Sequence, residues 1–265
     1  MAQVITITNR RGGTGKTCTT SALVAGLADR GYRTLCIDLD SQVNLTFDMG
    51  ASSEGITVME LMAGQATAEE AIQHTANGDI IAGSPQLATA DLTLTGKGKE
   101  YKLKDAIQPL LPEYDYILID TAPSLGVLTV NALTASDSTI ITAQAEVHSL
   151  QGIGQLYETI KAVRAHSNPA LRINGILITR YVDRTIIARD MRVNLVQVAE
   201  VMGTKVFMRP IRECNALKEA QALQTNIFSY APRSNASKDY NALIDELIGV
   251  SDEGKAFINK LLGED

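Results

Sequence analysis

The chain has 265 residues, with 24 Lys and Arg against 30 Asp and Glu, a formal net charge of -6, 45% hydrophobic residues and no Trp. That balance excludes a disordered chain, a disulfide miniprotein and a fibrous repeat, and any contact with nucleic acid must come from a local patch rather than from overall charge. Cys18, Cys36 and Cys214 stand far apart without a C-x-x-C pair, which points to a reducing, cytosolic compartment and away from zinc or iron–sulfur ligation.

The first element is the β-branched run Val4–Thr8, too short for the apolar region of a signal peptide, and nothing later approaches the ~18 uninterrupted apolar residues of a bilayer span. Further strands are expected at Thr34–Ile37, Asp79–Ala82, Tyr116–Ile119, Thr139–Ala143, Ile173–Thr179 and Lys205–Phe207. Most are apolar on both faces, which suits a parallel sheet covered on both sides. Helical patterns fall near 17–30, 103–111, 126–135, 149–166, 188–203, 216–224 and 237–249. The alternation predicts a doubly wound α/β fold with a mainly parallel twisted sheet and helices on both faces. Residues 1–250 read as one domain, 251–265 as a C-terminal helical tail, and 83–102 as an irregular surface excursion.

Directly after the first strand comes Arg11-Gly12-Gly13-Thr14-Gly15-Lys16-Thr17, which opens the first helix. Strand, glycine loop and helix form the context of a polyphosphate site: glycines let backbone N–H groups close on the phosphates, and the helix N-terminus adds positive potential. Lys16 is placed to reach the β and γ phosphates and the Thr17 hydroxyl to ligate Mg²⁺. The loop resembles that of the deviant Walker A ATPases of the ParA/MinD group, K-G-G-x-G-K-T, which belong to the P-loop NTPases. There the first basic residue is a signature lysine that crosses a dimer interface to the partner's phosphates. Arg11 stands at that position, and guanidinium and ammonium are not interchangeable. Either Arg11 clamps the partner's phosphates, or the change weakens hydrolysis coupled to dimerisation.

Asp38-Leu39-Asp40-Ser41-Gln42-Val43-Asn44-Leu45-Thr46 puts two carboxylates on one face at the end of an apolar strand. It resembles the family's D-x-D-P-Q-x-N-x-T segment, which implies that Asp40 orients or deprotonates the attacking water and that Asp38 sits near the metal or the switch. Tyr116-Ile117-Leu118-Ile119-Asp120 is an apolar strand ending in an acid, the Walker B pattern, so Asp120 is a magnesium candidate with Thr17 and Asp38. Pro123-Ser124-Leu125-Gly126 and Asn131-Ala132-Leu133 resemble the switch and the helix behind it. Glu146 to Gly152 resembles the segment after the next strand, with His148 in an aromatic slot; His74, His148 and His166 receive no chemistry.

By the same resemblance the nucleotide site comprises Arg11, Gly12, Gly13, Thr14, Gly15, Lys16, Thr17, Cys18, Arg180, Pro210 and Ile211, the last three around the adenine, with Arg11, Lys16 and Asp40 catalytic. Residues 180–219 carry eight basic side chains, Arg184 and Arg212 among them, against five acids. The remainder holds 16 basic and 25 acidic ones, so net charges of +3 and -9 stand side by side. That asymmetry makes Arg189, Arg192, Lys205, Arg209 and Lys218 candidate DNA contacts, with a solvated helix face as the alternative.

The resemblance implies a slow, Mg-dependent ATPase of the ParA/Soj type. It would dimerise on ATP, bind DNA without sequence preference, associate with the nucleoid and respond to a ParB-type centromere-binding partner. The alternatives are a MinD-like membrane-associated positioning ATPase, a nucleotide-gated scaffold with little hydrolysis, and a metabolic enzyme of related fold that amidates or reduces its substrate. Acids flank the short helix Lys255–Leu262 on both sides, which argues against membrane attachment.

Overall fold

The computed structural model describes residues 1–182 and 186–250, without the side chains of 147, 148 and 186–188. Arg184, the His148 side chain and the whole 251–265 tail, with its expected helix, therefore lie outside the described residues.

In chain order the elements are β1 (Gln3–Thr8), α1 (Lys16–Ala28), β2 (Thr34–Leu39), α2 (Asn44–Asp48), α3 (Val58–Ala63), α4 (Ala68–Ala71), β3 (Ile72–Thr75), β4 (Gly78–Ile81) and α5 (Ala90–Thr93). There follow α6 (Lys102–Ile107), β5 (Tyr116–Thr121), α7 (Val127–Ala135), β6 (Ser138–Gln144), α8 (Val147–His166), β7 (Arg172–Thr179), α9 (Ile186–Val201), α10 (Asn215–Ala222), α11 (Ile227–Tyr230) and α12 (Asn235–Leu247). Among the described residues seven strands form one sheet in the order β3-β4-β2-β5-β1-β6-β7, parallel throughout except for the β3/β4 hairpin. Every residue of β2 and of β6 is buried, as covered parallel strands require.

Helices cover both faces. One core joins β2 and β5 to α3, α6 and α7 through Ile37, Leu61, Leu103, Ile119 and Leu128. A second joins Ile5, Leu118 and Ile140 to α1 and α12, and a third packs α8 and α9 on β6 and β7. Helix α1 is buried almost all round because α12 lies against it; a methyl group added at Gly26 would collide with Ile244, so that approach needs the missing side chain.

Three segments given a reading in the sequence turn out differently. Residues 83–102 are no loose excursion: Pro85–Thr89 and Lys99–Tyr101 form 3₁₀ turns around α5, and Leu87, Ala90 and Leu94 enter the core. The run Lys205–Phe207 is not a strand; it touches β7 at one bridge, Ile176 to Val206. Pro109 lies in a 3₁₀ turn at 108–110, so the helix expected over 103–111 ends as α6 at Ile107.

Candidate functional site

At the carboxyl edge of the sheet, the loops after β1, β2 and β5 and the end of β7 converge on a cavity of about 600 Å³. This is the crevice where open α/β sheets take ligands. Residues 12–18 line one wall, Asp40, Gln42, Asn44, Phe47 and Asp48 another, and Arg180, Ile211, Cys214, Leu217, Lys218 and Gln221 the far end. Gly13 and Gly15 adopt φ of 74° and 78°, the left-handed values that let the loop turn its amides inward.

Lys16 is buried with its Nζ 3.3 Å from the Arg11 carbonyl; burial lowers its pKa, while Asp120 and Asp40 oppose that shift. Asp120 is fully buried, and its pKa is raised first by burial and then by Asp38, against the Thr17 hydroxyl and the Lys16 ammonium. The Thr17 hydroxyl donates to Asp120 Oδ2 at 2.7 Å, whereas Asp120 Oδ1 is a buried oxygen with no hydrogen-bond partner. A buried carboxylate oxygen left over beside a hydroxyl is an all-oxygen donor pair that fits Mg²⁺, which takes one or two protein ligands and completes its shell with water and phosphate. Among the described residues no group of three His, Cys, Asp or Glu forms a closed metal cage.

The two acids of the first segment face different ways. Asp40 lines the cavity, and its Oδ1 accepts from Gln42 N at 3.0 Å. Asp38 turns into the loop: Oδ1 accepts from Asp40 N at 3.0 Å, and Oδ2 accepts from Thr46 N at 2.9 Å and Thr46 Oγ1 at 2.7 Å. Burial pushes the Asp38 carboxyl up to about 6 despite those bonds. Both of its oxygens are therefore spent on holding Asp40 and α2 in place. Cys18 lines the loop wall, and burial near Asp48 and Asp120 pushes its thiol up to about 12, so it stands protonated.

Arg11 does not enter this cavity. With Arg10, Pro123, Gln151, Gly152 and Gln155 it lines a separate surface hollow, which shares Pro123 with the cavity, and it pairs with Glu146. At the far end Arg180 pairs with Glu213 at 3.1 Å, Ile211 lines the wall and Pro210 flanks it. Of the basic surface candidates, Arg192 donates to the Met208 carbonyl at 3.0 Å and Lys205 pairs with Glu246 at 2.6 Å. Arg209 and Arg212 share the fully buried Asp239. Arg189 and Lys218 are exposed. His74 bonds Asp79 at 2.7 Å and His166 bonds the Ala162 carbonyl at 2.8 Å, both on the surface.

Sequence reading missed Gln144 and Thr142 of β6 and placed Thr179, at the end of β7, beside the base; all three reach the phosphate loop. The available signal was the polar side chain closing each strand, Gln144 after Ala143 and Thr179 after Ile178. It also missed the fastening of α2 to α10, where Gln221 Nε2 donates to Asp48 Oδ2 at 2.6 Å and Gln224 Nε2 to the Phe47 carbonyl at 3.0 Å.

Comparison with known proteins gives a consistent picture. The AAA domain family matches residues 2–173. The sporulation initiation inhibitor protein Soj of Bacillus subtilis is 37% identical over 252 residues, spanning 93% of this chain and 98% of Soj. The chromosome partitioning protein ParA of Myxococcus xanthus is 36% identical over 256 residues, 94% of this chain and 88% of that protein. Among solved structures, cobyrinic acid a,c-diamide synthase of Mycobacterium smegmatis with bound ATP analog and magnesium superimposes with a TM-score of 0.81 at 32% identity, covering 94% of this chain and 96% of that one.

Proposed function

Given that this chain belongs to the ParA/Soj-type P-loop ATPases, we propose that it is a Mg-dependent DNA-partition ATPase that acts as an ATP-bound dimer. The carrying observation is the position of Arg11: its guanidinium lies outside its own cavity, on the face shared with Pro123, Gln151 and Gln155, where it can be offered to a second molecule.

The loop amides and Lys16 bind the phosphates, and the N-terminus of α1 adds its positive potential. Thr17 and Asp120 hold magnesium, which when bound neutralises charge developing on the phosphates. Asp40 orients or deprotonates the attacking water, and Asp38 keeps it aimed through its bond to Asp40 N. Arg11 completes the partner's site as a bidentate donor. Intrinsic turnover is slow because that completion waits for the second subunit. Arg180, Pro210 and Ile211 surround the base.

The ATP dimer binds DNA without sequence preference through Arg189 and Lys218, and a ParB-type centromere-binding protein stimulates hydrolysis and releases it. Among the described residues no helix is long and apolar enough to cross a membrane. The test measures ATPase rate and DNA retention with and without the product of the adjacent gene; stimulation of the first and loss of the second are expected, and neither responding would reject partition.

The likeness to the diamide synthase keeps one second reading in view, ATP-driven amidation. It predicts glutamine-dependent ADP release with a carboxylate acceptor, whereas the partition reading predicts ADP release that responds to DNA and partner and ignores glutamine.

A further inference from the structure

A phosphate loop can point its amides at a ligand only if its carbonyls are held the other way. Three loop carbonyls are held by side chains: Arg11 O by Lys16 Nζ at 3.3 Å, Gly13 O by Gln144 Nε2 at 2.8 Å, and Thr14 O by Thr179 Oγ1 at 2.8 Å. Gln144 ends β6 and Thr179 ends β7, and both are buried. From beneath, Thr14 Oγ1 meets Thr142 Oγ1 at 2.9 Å, and Asn9 accepts from Arg11 N at 2.9 Å while donating to the Thr142 carbonyl.

In a planar trans peptide the C=O of one residue and the N–H of the next point in opposite directions. Gln144, by fixing the Gly13 oxygen, therefore sets the direction of the Thr14 N–H. Thr179, by fixing the Thr14 oxygen, sets that of the Gly15 N–H. Neither side chain is needed to hold the sheet, since β6 and β7 already pair along their full length from Ser138–Arg172 to Gln144–Thr179. Thr179 borders the cavity, but its hydroxyl is committed to Thr14 O and, at 3.3 Å, to Ala143 O.

We propose that Gln144 and Thr179 are positioning residues for nucleotide binding: two side-chain hooks that preset the Thr14 and Gly15 peptide planes to receive phosphate. The proposal rests on the reading of the cavity as a nucleotide site.

The test is the calorimetric affinity for Mg-ADP and for adenosine of the full chain and of Thr179→Val, Thr179→Ser and Gln144→Met. A carbonyl deprived of its donor leaves its peptide plane free to turn, so Thr179→Val and Gln144→Met each weaken Mg-ADP by roughly tenfold. Adenosine, which has no phosphate, is unaffected, and Thr179→Ser, which keeps the hydroxyl, stays within about twofold of the unaltered chain. In steady state the KM for ATP rises with kcat little changed. If Thr179→Val fails to fold, Gln144→Met decides by the same criteria. Normal Mg-ADP affinity in the folded variants, equal weakening of adenosine, or failure of Thr179→Ser to restore binding overturns the positioning role. No Mg-ADP binding by the unaltered chain overturns the nucleotide reading instead.

Discussion

Arg11 Nη1 lies 2.5 Å from a carboxylate oxygen of Glu146, and both side chains are half-exposed, with Arg11 lining a hollow separate from the cavity. An ion pair of that exposure is worth about 0.2–1 kcal/mol, enough to park the guanidinium and too little to trap it. Arg11→Ala should abolish ATP-induced dimerisation and turnover while leaving the monomer's nucleotide affinity unchanged; Arg11→Lys should restore part of both. Glu146→Gln should lower the protein concentration for half-dimerisation by about twofold to thirtyfold, the size of the two pairs that a symmetric dimer gives up. Sedimentation with and without ATP reads all three, and an alanine variant indistinguishable from the parent would remove Arg11 from the mechanism.

Asp40 presents its carboxylate to the cavity while Asp38 is consumed in bonds to Asp40 N and Thr46. Asp40→Ala should therefore bind Mg-ATP normally and turn it over at least about a hundredfold more slowly, the span of general-base catalysis. Single-turnover phosphate release checks this; normal release would move the role to another residue.

Asp120 Oδ1 has no partner inside the fold, so its use is predicted to be the metal. Asp120→Asn keeps the shape and the contact to Thr17 but loses the charge. Magnesium should tighten ATP binding by about tenfold or more in the parent and by less than twofold in the variant, a loss on the scale measured for metal-site partners. Titration with and without a chelator distinguishes the two.

Asp48 gives a pH prediction. Burial pushes its carboxyl up to about 6 from the ordinary 3.8, with the Gln221 hydrogen bond pulling the other way and Asp38 adding to the rise. The folded state therefore holds the Asp48 proton more tightly than the unfolded chain does. Its stabilising contribution is complete below about pH 4 and is lost as pH rises through about 6. Asp48→Asn, which can still accept from Gln221, should gain roughly 1–2 kcal/mol at pH 7.5, with the difference shrinking toward pH 4. Denaturant melts at the two pH values check the sign; a variant less stable at pH 7.5 would contradict it.

Arg189 and Arg209 should separate DNA contact from fold support. Arg189→Glu should leave thermal stability unchanged, weaken DNA binding equally across sequences and reduce the salt slope by about one. Arg209→Ala should instead cost about 1 kcal/mol of stability, because Arg209 shares the buried Asp239 with Arg212. Filter binding over a salt series and thermal melts provide the two readouts.

The phosphate loop, the Walker B acid and the alternating layers were legible because each is written in contiguous residues: glycines before Lys16, and apolar runs that end in Asp38 and Asp120. The edge strand β3 was not, since Ile72–Thr75 is short, half-polar and held by its pairing to β4 and by Gln73's bonds to Ser52, both distant or unpatterned in sequence. Helices α3 and α4 carried a signal that went unread: Thr57 with Glu60 and Thr67 with Glu70 are capping boxes, recognisable as Thr-x-x-Glu. No local pattern could reveal that Gln144 serves Gly13 or Thr179 serves Thr14, since those partners are 131 and 165 positions apart. Nor could charge counting tell that Lys205, Arg209 and Arg212 answer Glu246 and Asp239.

Both rims of the sheet offer little to a further strand. On one side β3 is four residues long and runs against its neighbour; on the other, residues 205–213 bond the outer edge of β7 from Ile176 to Tyr181. Strands recruit strands wherever such rims lie bare, and a four-residue rim on one side and a partly bonded one on the other make poor templates. Joining of sheets is therefore a weak route to assembly for this chain, and contact between folded copies through side chains is the stronger one.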